Sequence, residues 1–168
     1  LPEFLNSIIA QSYKKLEMII VNDGSTDDTF GIISRYQEQL ENEGFLVKIV
    51  NQENCGLGAA VNSGLSLFTG EYLTWPDPDD WLTPDSIEKR VKLLEKHPDI
   101  GLLRSNCTRY FESQKKYGEN LLKLTDGVER IDEFFWDVLL RRTVLAPVST
   151  MVRSACYLDV YPERKFYT

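Results

Sequence analysis

The feature that most constrains this chain is a repeated order of apolar run, polar turn and amphipathic helix. Leu16-Glu17-Met18-Ile19-Ile20-Val21 is a nearly continuous apolar run, the pattern of a strand covered on both faces. It stops at Asn22-Asp23-Gly24-Ser25-Thr26-Asp27, a dense turn signal. Ile32, Ile33, Tyr36 and Leu40 then share one helical face, with Gly44 as the stop. Phe45 to Val50 reads as the next strand. The loop Asn51-Gln52-Glu53-Asn54 leads into a small-residue helix from Leu57 to Phe68. Glu71 to Trp75 is a third strand, and Asp77-Pro78-Asp79-Asp80 follows at once. Strands alternating with helices predict βαβ units, right-handed crossovers and a mostly parallel central sheet in an α/β domain. Ligands of such sheets bind beyond the carboxyl ends of the strands. Asn22 to Asp27 and Asp77 to Asp80 each follow a strand directly, so both are expected on that edge.

The remaining elements are less regular. Leu5, Ile8 and Ile9 mark an opening helix. Thr83-Pro84-Asp85-Ser86 predicts a helix start with Thr83 as N-cap and Pro84 at the first helical position, followed by the stripe Ile87, Val91 and Leu94. Ile100 to Arg104 and Cys107 to Phe111 are short strand candidates. Ser113 to Thr125 is polar and weakly patterned, as in a surface loop. Val128 to Arg142 reads as a helix and Val148 to Val152 as a late strand.

The 168 residues suit one compact domain. No apolar run approaches the roughly 20 residues that span a bilayer, and the first residues do not read as a signal peptide. The net charge is −7 with basic residues dispersed, which excludes nucleic acid as a partner because phosphate backbones require a basic footprint. An acidic chain that handles phosphates recruits a cation instead. Cys55, Cys107 and Cys156 match no metal or redox spacing and read as reduced thiols of a cytoplasmic protein. The single histidine, His97, precedes Pro98 at the end of a helical pattern and reads as a surface residue there. The chain opens inside a helix and stops at Phe166-Tyr167-Thr168 without a closing element, so it reads as a fragment.

Three carboxylates within four residues repel one another unless a cation lies among them. A few hard oxygen ligands, with room for water and phosphate, suit Mg²⁺ or Mn²⁺. The competing explanation is a solvated acidic turn at a helix N-terminus, which fits Asp85 well. An EF-hand loop would place Asp77, Asp79, Asp85 and Glu88 at positions one, three, nine and twelve. It fails at position six, where Leu82 replaces the required Gly. At the other motif, Gly24 permits positive φ, and Asp23 could accept a hydrogen bond from a base N–H or a ribose hydroxyl. Asn54-Cys55-Gly56-Leu57-Gly58 lacks both Walker and GxGxxG spacing, so its small residues serve close packing of a helix on the sheet.

Taken in order, Gln11-Ser12-Tyr13, Val21 to Asp27, Asn54 to Leu57, Ala60-Val61-Asn62-Ser63-Gly64, Gly70 to Leu73 and Asp77 to Asp80 resemble the family 2 glycosyltransferases of GT-A fold. The match covers about the first hundred residues well. Beyond them, Pro147 to Arg153 looks like the family's acceptor-side strand. The resemblance implies a Rossmann-like three-layer sandwich, with a nucleotide-sugar and metal part over 1–112 and the start of an acceptor part over 113–168. It also implies an inverting transfer of sugar from a nucleoside diphosphate sugar, UDP-sugar above others, to a hydroxyl of a saccharide or lipid-linked acceptor in polysaccharide or glycoconjugate synthesis. The setting would be the cytoplasm or the inner face of a membrane.

By resemblance Asp23 contacts the base, and Asn54 and Gly56 line the donor site. Asp77 and Asp79 are the DxD pair, with Asp79 the direct ligand of Mn²⁺ or Mg²⁺ and Asp77 nearer the ribose. Asn22 and Val61 stand where many members carry Asp and Arg, so no role is carried over to them. The family's first strand, in the middle of its sheet, is expected before Leu1, and its general base beyond Thr168. A sheet lacking that strand would leave ladder groups unpaired. The alternative is a nucleotide-sugar-binding module without activity.

Overall fold

The computed structural model describes residues 1–122, 124 and 146–165. Helix α1 is Pro2–Ile9, and strand β1, Glu17–Asp23, follows it. Helix α2 (Thr29–Asn42) leads to β2 (Leu46–Gln52), and α3 (Leu57–Leu65) to the short β3 (Tyr72–Leu73). Then come α4 (Ser86–Lys96), β4 (Leu102–Arg104), β5 (Thr108–Phe111) and β6 (Lys116–Asn120). Last are β7 (Thr150–Arg153) and α5 (Ser154–Val160). The helix expected over Val128 to Arg142 lies outside the described residues.

The βαβ reading holds where apolar patterning was strongest. Strands β1 and β2 pair in parallel from Glu17↔Leu46 to Asp23↔Gln52, with α2 as the crossover. Beyond this pair the described strands change direction. Strand β7 lies between β3 and β4 and is antiparallel to both, while β5 and β6 form a separate hairpin. Between β1 and β3 is a cavity of about 420 Å³, lined by Ile19, Val21, Val61, Leu73, Val91 and Met151 among others. The Leu46 N–H donates to the Leu16 carbonyl, so by alternation the peptide groups of Met18 and Ile20 face β2. Those of Ile19 and Val21 face the cavity. Strand β3 pairs only with β7 among the described residues, so open strand edges flank this cavity on both sides.

The main core packs three helices against the sheets. Phe4, Leu5 and Ile8 of α1, Leu40 of α2, and Ile87, Val91 and Leu94 of α4 are buried together with Phe45, Leu103 and Met151. A second cluster joins Leu65, Phe68 and Tyr157, with Ile19, Val61 and Leu73 packed on it. The small residues of α3 do allow close packing: a Cβ on Gly64 would lie 3.6 Å from Val21. Arg153 fastens the layers, its Nε donating to the Ile100 carbonyl (2.8 Å) and its Nη2 to the carbonyls of Leu94 and His97. A cation is thereby placed at the C-terminus of α4, where the helix dipole favours it.

Three local expectations need correction. Thr83 is not the N-cap of α4, and Pro84 is not its first residue. Thr83-Pro84-Asp85-Ser86 is a turn closed by the Ser86 N–H on the Thr83 carbonyl at 3.0 Å, a position in which proline favours turns. The cap comes from across the fold. Gln11, 1% exposed, accepts the Ile87 N–H on Oε1 (3.2 Å) and donates through Nε2 to the carbonyls of Thr83 and Ser7, both at 2.9 Å. Second, Ser113 to Thr125 is not all loop, because β6 pairs with β5. Most of its side chains are solvent-exposed, so no apolar alternation marks it. Third, α3 stops at Leu65 rather than Phe68.

Candidate functional site

Asp23 ends β1, and the parallel register sets Gln52 directly beside it. The Asp23 carboxylate is held by three donors. Gln52 Nε2 (2.7 Å) and the Cys55 N–H (2.9 Å) meet Oδ1, and the Gly56 N–H meets Oδ2 at 2.8 Å. Hydrogen bonds to the charged form favour it, so the Cys55 N–H first, then Gln52, hold the Asp23 carboxyl below the usual range. Ser63 on α3 donates to Gln52 Oε1 at 2.6 Å, which fixes the orientation of that amide. The two loops meet closely. Gly24 has φ +72°, and a Cβ there would lie 2.7 Å from the backbone nitrogen of Asn54. Gly56 has φ +83° and opens α3. The Asn54 side chain is exposed at this rim. Asn22 is 9% exposed and works inward: its Oδ1 accepts the Ser25 N–H (3.1 Å) and its Nδ2 donates to Asn51.

A carboxylate has about four lone-pair sites. Three are filled here, so Asp23 keeps room for one further donor, on the Oδ2 side. Gln52 and the Cys55 N–H were not singled out from the sequence, which reads Asn51 to Asn54 as loop. The signal is the strand register, a cross-chain property that no local pattern carries.

The acidic turn follows β3. The Asp80 N–H donates to the Asp77 carbonyl at 3.1 Å, which closes the turn and draws Asp77, Asp79 and Asp80 near one another. Burial, then the charges of Asp77 and Asp79, push the Asp80 carboxyl above its ordinary value. Asp77 and Asp79 are themselves exposed. Among the described residues no group of three or more His, Cys, Asp or Glu side chains converges as a ready cation cage. The donor set instead offers one or two open carboxylates beside a repelled third. That suits a Mg²⁺ or Mn²⁺ ion that keeps waters and shares ligands with a phosphate.

The hydrogen-bonded Asp23 at the end of the parallel strand β1 and the acidic turn after β3, a strand antiparallel to β7, belong to one α/β domain, and its fold is of the GT-A kind. Residues 1–146 match the model of glycosyl transferase family 2, and the chain belongs to that family. It is 40% identical over 119 residues to glycosyltransferase GlyA of Streptococcus pneumoniae serotype 4, covering 70% of this chain and 16% of that protein. It is 30% identical over 155 residues to putative glycosyltransferase EpsH of Bacillus subtilis, covering 84% and 43%. The chain thus spans less than half the length of these curated relatives. Among solved structures, S. aureus TarS 1-349 in complex with UDP superposes with a TM-score of 0.74 at 21% identity, covering 95% of this chain and 44% of that one. No helix of the described residues is long and apolar enough to cross a membrane.

Proposed function

We propose that this chain carries the donor site of a glycosyltransferase that moves a sugar from a nucleoside diphosphate sugar, UDP-sugar above others, to an acceptor hydroxyl with inversion. The observation that carries the proposal is the Asp23 cradle. Three donors from β2 and the start of α3 fix a charged carboxylate with one acceptor site left, the requirement for selecting a ligand N–H. A solved neighbour crystallised with UDP supports the choice of nucleotide. Asp77 and Asp79 are the residues that would hold Mn²⁺ or Mg²⁺. Such an ion, when bound, supplies Lewis-acid neutralisation of the departing diphosphate. Asp23 contributes orientation: it fixes the nucleoside end so that the sugar is presented at the acidic turn. Asn54 and Gly56 border the nucleotide, Gly56 through the backbone conformation that delivers its N–H to Asp23. The general base is not assigned to any described residue.

The test is calorimetric titration with UDP in Mn²⁺ and then in chelator. Binding is expected in Mn²⁺, weaker by at least about tenfold in chelator and in Asp79→Asn. Such a loss corresponds to about 1.4 kcal/mol. Equal binding with chelator, or an Asp79→Asn protein that binds normally, would remove the metal assignment. Failure of UDP to bind under every condition would remove the donor site.

A further inference from the structure

We infer that Trp81, Tyr110 and Tyr117 form an aromatic platform on which the saccharide chain of the acceptor rests beside the donor site. The inference rests on the proposed function and gives its acceptor a surface. Trp81 directly follows Asp80, so the row begins at the rim of the acidic turn. Its ring meets Tyr110 of β5 at 5.3 Å between centroids, edge to face. Tyr110 in turn meets Tyr117 of β6 at 5.1 Å, its directly paired neighbour across the hairpin.

The three rings hold one another in place and yet remain open to solvent at both ends of the row. Trp81 is 39% and Tyr117 64% exposed. What sets these rings apart from singly exposed aromatics is that they form one contiguous row of ring-to-ring contacts, an apolar strip rather than scattered side chains. The half-buried Tyr110 is the spacer, and the outer two rings are the contact surfaces. Their chemistry matches a pyranose, whose C–H face is apolar and whose rim of hydroxyls needs hydrogen bonds. Tyrosine presents both characters in one side chain. Polar groups lie alongside for that rim, including Thr108 and Asn120, which bond each other at 2.7 Å. The hairpin is built to carry the row. A Cβ on Gly118 would come within 3.0 Å of the Phe111 ring, so glycine at this position lets β6 lie close to β5.

A saccharide is favoured over a protein partner by continuity. The row starts at the residue adjoining the turn that would hold the departing diphosphate, and the carbon attacked by the acceptor hydroxyl, on the face opposite that diphosphate, belongs to the sugar joined directly to it. The experiment uses the full-length polypeptide on an array of neutral and acidic oligosaccharides, with UDP affinity in Mn²⁺ measured separately. Tyr117 sits on an exposed hairpin, and Tyr117→Ser leaves the core untouched. The expected result is capture of at least one oligosaccharide class, weakened about tenfold in Tyr117→Ser, the value of one stacked aromatic contact, with UDP affinity unchanged. Trp81→Ala is expected to act in the same direction. The platform is overturned if no oligosaccharide is captured while UDP binds, or if Tyr117→Ser captures as well as the parent. It is equally overturned if the substitution alters only self-association in sedimentation. Oligosaccharide capture that depends on Tyr117 without any UDP binding would support the platform and reject the donor site.

Discussion

Asp23 shows how much of the site is decided by single atoms. Its folded pKa lies below the ordinary value because its hydrogen bonds favour the carboxylate. The stabilisation from these bonds is therefore complete above the unfolded pKa of about 3.9. It is lost as pH falls through the lower folded value. An NMR titration of the Asp23 carboxyl carbon is expected to give a midpoint below about 3.9, and Asp23→Asn to remove part of the acid limb of the stability curve. A midpoint at or above the free value would mean that the cradle does not form. Gly24 carries a second expectation at this scale. Alanine there meets both positive φ and the Asn54 nitrogen at 2.7 Å, so Gly24→Ala should cost about 1–2 kcal/mol for the left-handed backbone alone. Urea denaturation measures it, and an unchanged midpoint would argue against the close loop contact.

At the scale of elements, α4 is the instructive case. Its apolar stripe was legible in Ile87, Val91 and Leu94, all of which are buried. Its start is not legible locally, because the partner of the Ile87 N–H is Gln11, 76 positions away in sequence. Gln11→Ala should cost about 1–3 kcal/mol, since it strands buried groups on both sides; thermal melting checks this, and a loss within a few tenths of a kcal/mol would contradict the capping role. Arg90, on the same helix, is 6% exposed, and its Nε and Nη1 have no hydrogen-bond partner among the described residues. Burial lowers its pKa to about 10. A buried cation with two unpartnered donors is a liability that an apolar side chain of similar length removes. Arg90→Met is thus expected to leave the melting temperature unchanged or raise it, and a marked fall would reveal an uncounted partner.

For the whole molecule, the telling feature is the cavity between β1 and β3. Ladder groups of Ile19 and Val21 face it, whereas those of Met18 and Ile20 are bonded to β2. In this 168-residue chain, amide exchange should therefore alternate along β1, with Ile19 and Val21 at least about tenfold faster than Met18 and Ile20. Uniform protection along β1 would show that another strand fills the space.

By itself the sequence determined what depends on neighbours along the chain. The apolar runs specified β1 and β2, their spacing specified the crossover helix, and the turn signals marked where β1 ends, at Asp23, and where the acidic turn Asp77 to Asp80 follows β3. Ordered motifs then carried the family. The tertiary structure alone decided whatever depends on register and direction. It set Gln52 beside Asp23, used Gln11 to cap a distant helix, ran β7 antiparallel between β3 and β4, and aligned Trp81 with Tyr110 and Tyr117. The physical reason is common to all four. A hydrogen bond or ring contact between residues far apart in sequence leaves no periodicity behind, because its partner is chosen by packing in three dimensions.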